Sequence, residues 1–231
     1  MLATGERRVG RFGWKAQVAT LLTFSGDACR NEMGITNDVF PSELAIGIHA
    51  DQLKACDVSP DPEDKPDPVT GLRDIDHFAA FMKFLAPIAR GPIDEAVRDG
   101  DRVFAAIGCA ACHVPALTTG TSANPLFDRR TVPLYSDLLL HNIGTGDGIR
   151  QADSTASPDE IRTPALWGLR MRRPLLHDGS AATIEDAIAA ACGRSAGRPA
   201  GLHPSRRART RVAAGVPAVP LRRLPAPVRD I

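Results

Sequence analysis

Cys109-Ala-Ala-Cys112-His113 constrains this chain more than any other feature. On a helical turn, cysteines three apart face the same side, and here a histidine follows at once. Each thiol can add to one vinyl group of a haem, and the imidazole nitrogen can then ligate the iron. The pattern reads as c-type haem attachment, with His113 as an axial ligand. A zinc site would need a second ligand pair at metal spacing, whereas Cys29, Cys56 and Cys192 stand alone. A thioredoxin-type redox motif would need a βαβ setting. A disulfide within the motif would close a tiny, strained loop. One covalent haem c and an electron-transfer role are the expectation.

The apolar pattern around the motif is helical. Ile75, Phe78, Phe81, Met82 and Leu85 fall at helical spacing, and Pro87 ends the run. A second helix is expected from about Ile93 to Ile107, with Val97, Phe104 and Ile107 on one face. Thr20–Phe24 suits a short helix, as does the stretch around Thr163–Trp167. Thr183-Ile-Glu-Asp186 has the capping pattern that starts another. Residues 35–72 and 114–135 read as loop, and Pro60–Pro68 is polar and proline-punctuated. There are no alternating strands and no internal repeat. The class is all-α with long connections and few or no strands, and a porphyrin would supply much of the apolar core. The boundaries read as a remnant of a preceding domain over 1–72, a haem domain over 73–191, and an irregular tail over 192–231.

Net charge divides the chain. Residues 192–231 hold nine arginines and one acid, Asp230, whereas the preceding residues carry a net charge of −7. A basic tail can signal nucleic acid or a membrane surface. Here its Arg-Ala-Pro-Gly text, with six prolines in 40 residues, reads as a shifted frame of a GC-rich gene, so no nucleic-acid role is expected. No apolar run is long enough to span a membrane. The first residues, Met1–Arg8, lack the apolar stretch of an export signal. Haem attachment to Cys-x-x-Cys-His nevertheless implies a periplasmic protein. Met1 is therefore not expected to be the biological start, and the chain is expected to be a fragment.

Several stretches carry a family resemblance. They are Gly10–Gln17, Asn31–Thr36, Leu85-Ala-Pro87, Gly108–His113, Tyr135–Gly144, Arg162–Gly168 and Leu176–Ser180. In this order they resemble the C-terminal half of bacterial di-haem oxidoreductases, the group related to di-haem cytochrome c peroxidases and thiol oxidoreductases. Gly100-x-x-x-Phe104 ahead of the motif also resembles the first helix of cytochrome c domains. The resemblance implies two cytochrome c-like domains in tandem, one with a peroxidatic haem and one with an electron-transfer haem. The single motif here matches the electron-transfer haem. The domain with the other haem would lie upstream, and a small cytochrome or cupredoxin would be the redox partner.

The resemblance also implies roles for particular residues. Trp14 stands where these enzymes keep a tryptophan electron relay between haems; a buried anchor is the other reading. Glu32 matches the acid that assists peroxide cleavage, and a solvated surface charge is its other reading. A glutamine kept between those two positions has no counterpart, Phe24 being nearest. His141 and His177 lie in motifs near the haem, as hydrogen-bonding neighbours rather than ligands. Arg162 suits a haem propionate or a surface position. The family's calcium uses carbonyls at Arg172 and Pro174 with an upstream side chain, so calcium is not expected here.

The pattern breaks at the sixth iron ligand. Relatives place a histidine or methionine near the position of Ala191, where no ligand stands. Cys192 is adjacent, and Met171 and His177 are imperfect substitutes. From Cys192 the motif resemblance stops, and the expected last helix is missing. Three readings stay open: an electron-transfer part of a di-haem oxidoreductase, a mono-haem electron carrier, and a non-functional truncated product.

Overall fold

The computed structural model describes residues 8–44, 47–56, 58, 61–150 and 156–193. The tail beyond Gly193 and the side chain of Cys192 lie outside the described residues, and with them the shifted-frame reading. The chain divides into two compact units. The first comprises the described residues of Met1–Ala86, Leu138–Asn142 and Gly146–Arg162. The second comprises those of Pro87–Asp137, Ile143–Thr145 and Thr163–Ile231.

Helix α1 (Leu21–Ala28) opens the first unit and is capped by Thr20, whose hydroxyl accepts from the Thr23 N–H at 3.1 Å. It runs directly into a π-helical turn, Cys29–Met33, closed by Gly34 in the left-handed region. Helix α2 (Ala50–Cys56) follows, then a 3₁₀ turn at Pro62–Asp64. The sequence reading had loop here. Among the described side chains of α2, only Leu53 is even half-buried, so no apolar period announces it. Helix α3 (Asp74–Phe84) packs on α1. It begins where the Arg73 N–H donates to Asp76 Oδ2 at 3.1 Å and stops before Pro87, close to the expected bounds. Arg73 also pairs with Asp38, tying the segment after α1 to the head of α3.

Helix α4 (Glu95–Ala106) opens the second unit's helical part, capped by Asp94, which accepts from the Val97 N–H at 2.9 Å. Ile107 is its C-cap, and the next residue, Gly108, turns the chain with a φ of +87° that suits glycine. Strands β1 (Leu117–Thr118) and β2 (Thr131–Val132) pair antiparallel. Strands β3 (Leu140–Asn142) and β4 (Glu160–Arg162) do the same in the first unit, with His141 opposite Ile161. Strands of two or three residues are too short to show alternation, so no period announces them in the sequence. The expected helix at Thr163–Trp167 does not form. Pro164 disfavours helical backbone before it, the Leu166 N–H donates across to Leu134 O at 3.0 Å, and a 3₁₀ turn comes only at Leu169–Met171. Helix α5 (Ile184–Gly193) starts as expected. The Thr183 hydroxyl accepts from the Asp186 N–H at 3.1 Å and donates to the Asp186 carboxylate at 2.8 Å. The class is therefore helix and loop with two small sheets, slightly richer in strand than expected.

Neither unit has a large apolar core among the described residues. Ile75, Val18 and Ile161 are buried in the first, and Leu134, Leu175 and Ala181 in the second. The largest fully buried side chains are polar: Lys15, Asn37 and Ser136. Phe78, Phe81 and Phe84 on α3, and Leu85 at its C-cap, stay substantially exposed. In so thin a core each apolar side chain matters. Ile75→Ala is expected to destabilise the first unit by about 2–5 kcal/mol, read as a lowered midpoint in urea unfolding. Phe81→Ala on the exposed face should shift it far less.

Candidate functional site

The motif lies just past α4. Gly108 turns the chain, and Cys109–Ala111 forms a 3₁₀ turn rather than a further turn of α-helix. Cys112 follows as the C-cap of that turn, its N–H donating to Cys109 O at 3.4 Å. Both thiols are half-buried and neither is in a disulfide. The His113 N–H donates to Cys109 O at 3.0 Å, which fixes the histidine at the end of that turn.

A second strand of chain braces the motif. The Tyr135, Ser136 and Asp137 N–H groups donate to Pro115, Val114 and Cys112 carbonyls at 3.3, 3.0 and 2.8 Å. The fully buried Ser136 hydroxyl in turn donates to Thr163 O at 2.7 Å. This ladder brings the Tyr135 carbonyl to 2.8 Å from His113 Nδ1. A carbonyl oxygen can only accept, so Nδ1 carries a proton, and in the neutral imidazole the lone pair is then on Nε2. Metal-ligating histidines are oriented in this manner. Two unbridged thiols one turn apart, followed by an imidazole whose tautomer leaves Nε2 as the donor, fit a covalently attached haem.

Tyr135 is the chain's single tyrosine and holds its place by side chain as well. Its backbone is in the left-handed region, φ +53°, which costs a bulky residue free energy. Its hydroxyl donates to Asp101 Oδ1 on α4 at 2.9 Å, and the Arg90 guanidinium lies 5.5 Å from the ring centroid. Its ring meets Phe104 edge-on at 5.7 Å, and Phe104 lies 6.3 Å from the His113 ring. Burial, aided by the bond to Asp101, pushes the Tyr135 phenol above its usual range. Sequence reasoning quoted Tyr135 only as part of a motif and missed its bracing role; Asp101 and Arg90 gave no signal.

The other expected site residues fall in two places. His177 lies half-buried in the second unit with the motif, and Met171 is 57% exposed there. Trp14, Glu32, His141 and Arg162 belong to the first unit. There the structure joins two of them: the Arg162 N–H donates to Trp14 O at 2.7 Å, and its Nε–H donates to Gly13 O at 3.0 Å. Burial pulls the Arg162 guanidinium below its usual value. Trp14 is 42% exposed, so it is not a buried anchor. Glu32 sits on the π-helical turn, exposed; such turns recur at functional sites. His141 is half-buried in β3.

Lys15, next to Trp14, was missed altogether. It is 1% exposed, and its Nζ donates to the carbonyls of Ser157, Pro158 and Glu160 at 3.1, 3.2 and 3.1 Å. It also pairs with Asp147 Oδ1 at 2.7 Å. Burial raises Asp147, but the Lys15 ammonium and the Ile149 N–H outweigh it and hold the carboxyl below its usual range. The unfolded chain titrates at the ordinary value of about 3.9. This contribution is therefore fully present above that value and is lost as pH falls through the folded value. Urea midpoints measured from neutral pH downward should fall in acid, and Asp147→Asn should flatten that acid limb while lowering the neutral midpoint.

A family model described as di-haem oxidoreductase, putative peroxidase, matches residues 6–207. The match runs past Cys192, where the motif resemblance had stopped. No curated protein matches the chain.

Proposed function

Because the chain belongs to the di-haem oxidoreductase family, we propose that it carries one haem c on Cys109, Cys112 and His113 and serves as the electron-transfer part of a peroxidase-like oxidoreductase. The observation that carries this reading is the His113 Nδ1–H bond to Tyr135 O at 2.8 Å, which orients an imidazole that directly follows two cysteines outside any disulfide. Bound there, the haem supplies one-electron redox chemistry at its iron.

The chain's own residues do the rest. Cys109 and Cys112 would hold the group through their sulfurs, and the His113 imidazole would ligate its iron. The ladder over 112–115 and 135–137 keeps that imidazole in one orientation. Trp14 is the electron relay toward a second haem, which this sequence does not attach through a further Cys-x-x-Cys-His. Glu32 would be the acid that holds a proton for peroxide chemistry at such a second haem. Arg162, His141 and His177 form the polar surroundings of the haem groups. Maturation of a Cys-x-x-Cys-His haem makes the protein periplasmic, with a small cytochrome or cupredoxin as redox partner. No helix among the described residues is long and apolar enough to cross a membrane. The scarcity of buried apolar side chains supports a core completed by porphyrin. The single motif favours one alternative, a mono-haem electron carrier.

Co-expression with the haem-maturation machinery and an added export signal tests the attachment. A haem-stained band on a denaturing gel and a pyridine haemochrome spectrum of one haem per chain are expected. Cys109→Ala with Cys112→Ala should abolish the stain, and Cys109→Ala alone should shift the α-band, since one vinyl group then stays unsaturated. An unstained wild-type band would overturn the reading. Trp14→Phe should slow electron exchange of the loaded protein several-fold and leave its spectrum unchanged; a mono-haem carrier would show no such slowing.

A further inference from the structure

Trp14 presents an unusual combination. The residue is 42% exposed, yet its backbone is held on both sides. Residues 11–18 form a hairpin-like loop closed by the Phe12–Val18 bridge, with the Arg11 N–H donating to Val18 O at 2.8 Å. A Cβ at Gly10 would collide with Ala16 O, so the loop's base closes without space for a side chain. Arg162 secures the carbonyls of Gly13 and Trp14. On the other side of Trp14, Lys15 buries its ammonium among four oxygens from the segment 147–160.

That burial is costly unless the charge is fully met. An ammonium has three N–H groups, and here three inward-turned carbonyls and a carboxylate meet them. Such a cage resembles a cation site whose ion is tethered to the chain. A merely solubilising lysine would leave its charge in water. Lys15 stands one residue from an exposed tryptophan. Electron transfer through an indole depends steeply on its distance and orientation to donor and acceptor, so a relay needs a rigid mount.

We propose that Lys15 is the positioning residue of Trp14: its tethered cation, seated in the oxygen cage of Asp147, Ser157, Pro158 and Glu160, fixes the indole in the attitude that electron relay requires. The relay itself rests on the function proposed above; the anchoring does not.

The test uses the full chain labelled with fluorotryptophan, which gives two resonances, from Trp14 and Trp167, assigned by Trp14→Phe. Lys15→Met should shift or broaden the Trp14 resonance and leave Trp167 in place. Asp147→Asn, which keeps the lysine and three of its four partners, should do so to a smaller extent. Lys65→Met on the surface should do neither. In the haem-loaded protein, electron exchange with ferricyanide should slow in Lys15→Met. The double variant Trp14→Phe, Lys15→Met should be no slower than Trp14→Phe alone, because both changes act through one indole. An unmoved Trp14 resonance in folded Lys15→Met, or in folded Asp147→Asn should Lys15→Met not fold, overturns the proposal. So does a double variant slowed by the product of the two single effects. A Trp14 resonance that moves while Trp14→Phe leaves electron exchange unchanged overturns the relay reading and leaves the anchoring intact.

Discussion

The 2.8 Å bond from His113 Nδ1 to the Tyr135 carbonyl is the contact on which the haem reading depends. A histidine behind two cysteines is only a sequence pattern until something selects its tautomer. Here a carbonyl does so, and that carbonyl is placed by structure on every side. Three backbone bonds tie 135–137 to 112–115. Ser136 anchors the same segment to Thr163. The Tyr135 ring is held by Phe104, Asp101 and Arg90 against a left-handed backbone. Strain of this kind persists only where neighbouring contacts over-determine it, and its product is an imidazole with a single orientation.

The two units share a way of organising sparse cores. Apolar side chains are few among the buried residues, and buried polar groups act as pins. Lys15 draws four oxygens inward, Asn37 donates to Gly26 O at 2.9 Å, and Ser136 joins two segments of the second unit. Each pin is satisfied by bonds, as buried polar groups must be. Specific polar contacts therefore fix loop positions that a larger apolar core would otherwise fix, at the two places where the proposed chemistry needs rigidity, His113 and Trp14.

Much of this was legible in the sequence, for identifiable reasons. The bounds of α3 and α4 followed closely from apolar period, with Pro87 ending the first run, and Thr183 with Asp186 marked the head of α5. The haem motif named its own residues. What escaped depends on contacts distant along the chain. Lys15 reads as an ordinary surface lysine until Asp147, Ser157, Pro158 and Glu160 turn their oxygens onto it. Tyr135 reads as one aromatic residue in a loop until its carbonyl meets His113. The short strands and α2 carry too few buried side chains to show any period. The motif turn is 3₁₀ rather than α because Gly108 breaks the helix, a detail that residue spacing alone does not distinguish.

The most direct measurement is the intact mass of the matured protein under denaturing conditions. A chain heavier by one haem, with Cys109 and Cys112 inaccessible to alkylation, is the result expected if these residues form the attachment site. A bare polypeptide mass with both thiols open to alkylation would contradict it, and the electron-transfer function with it.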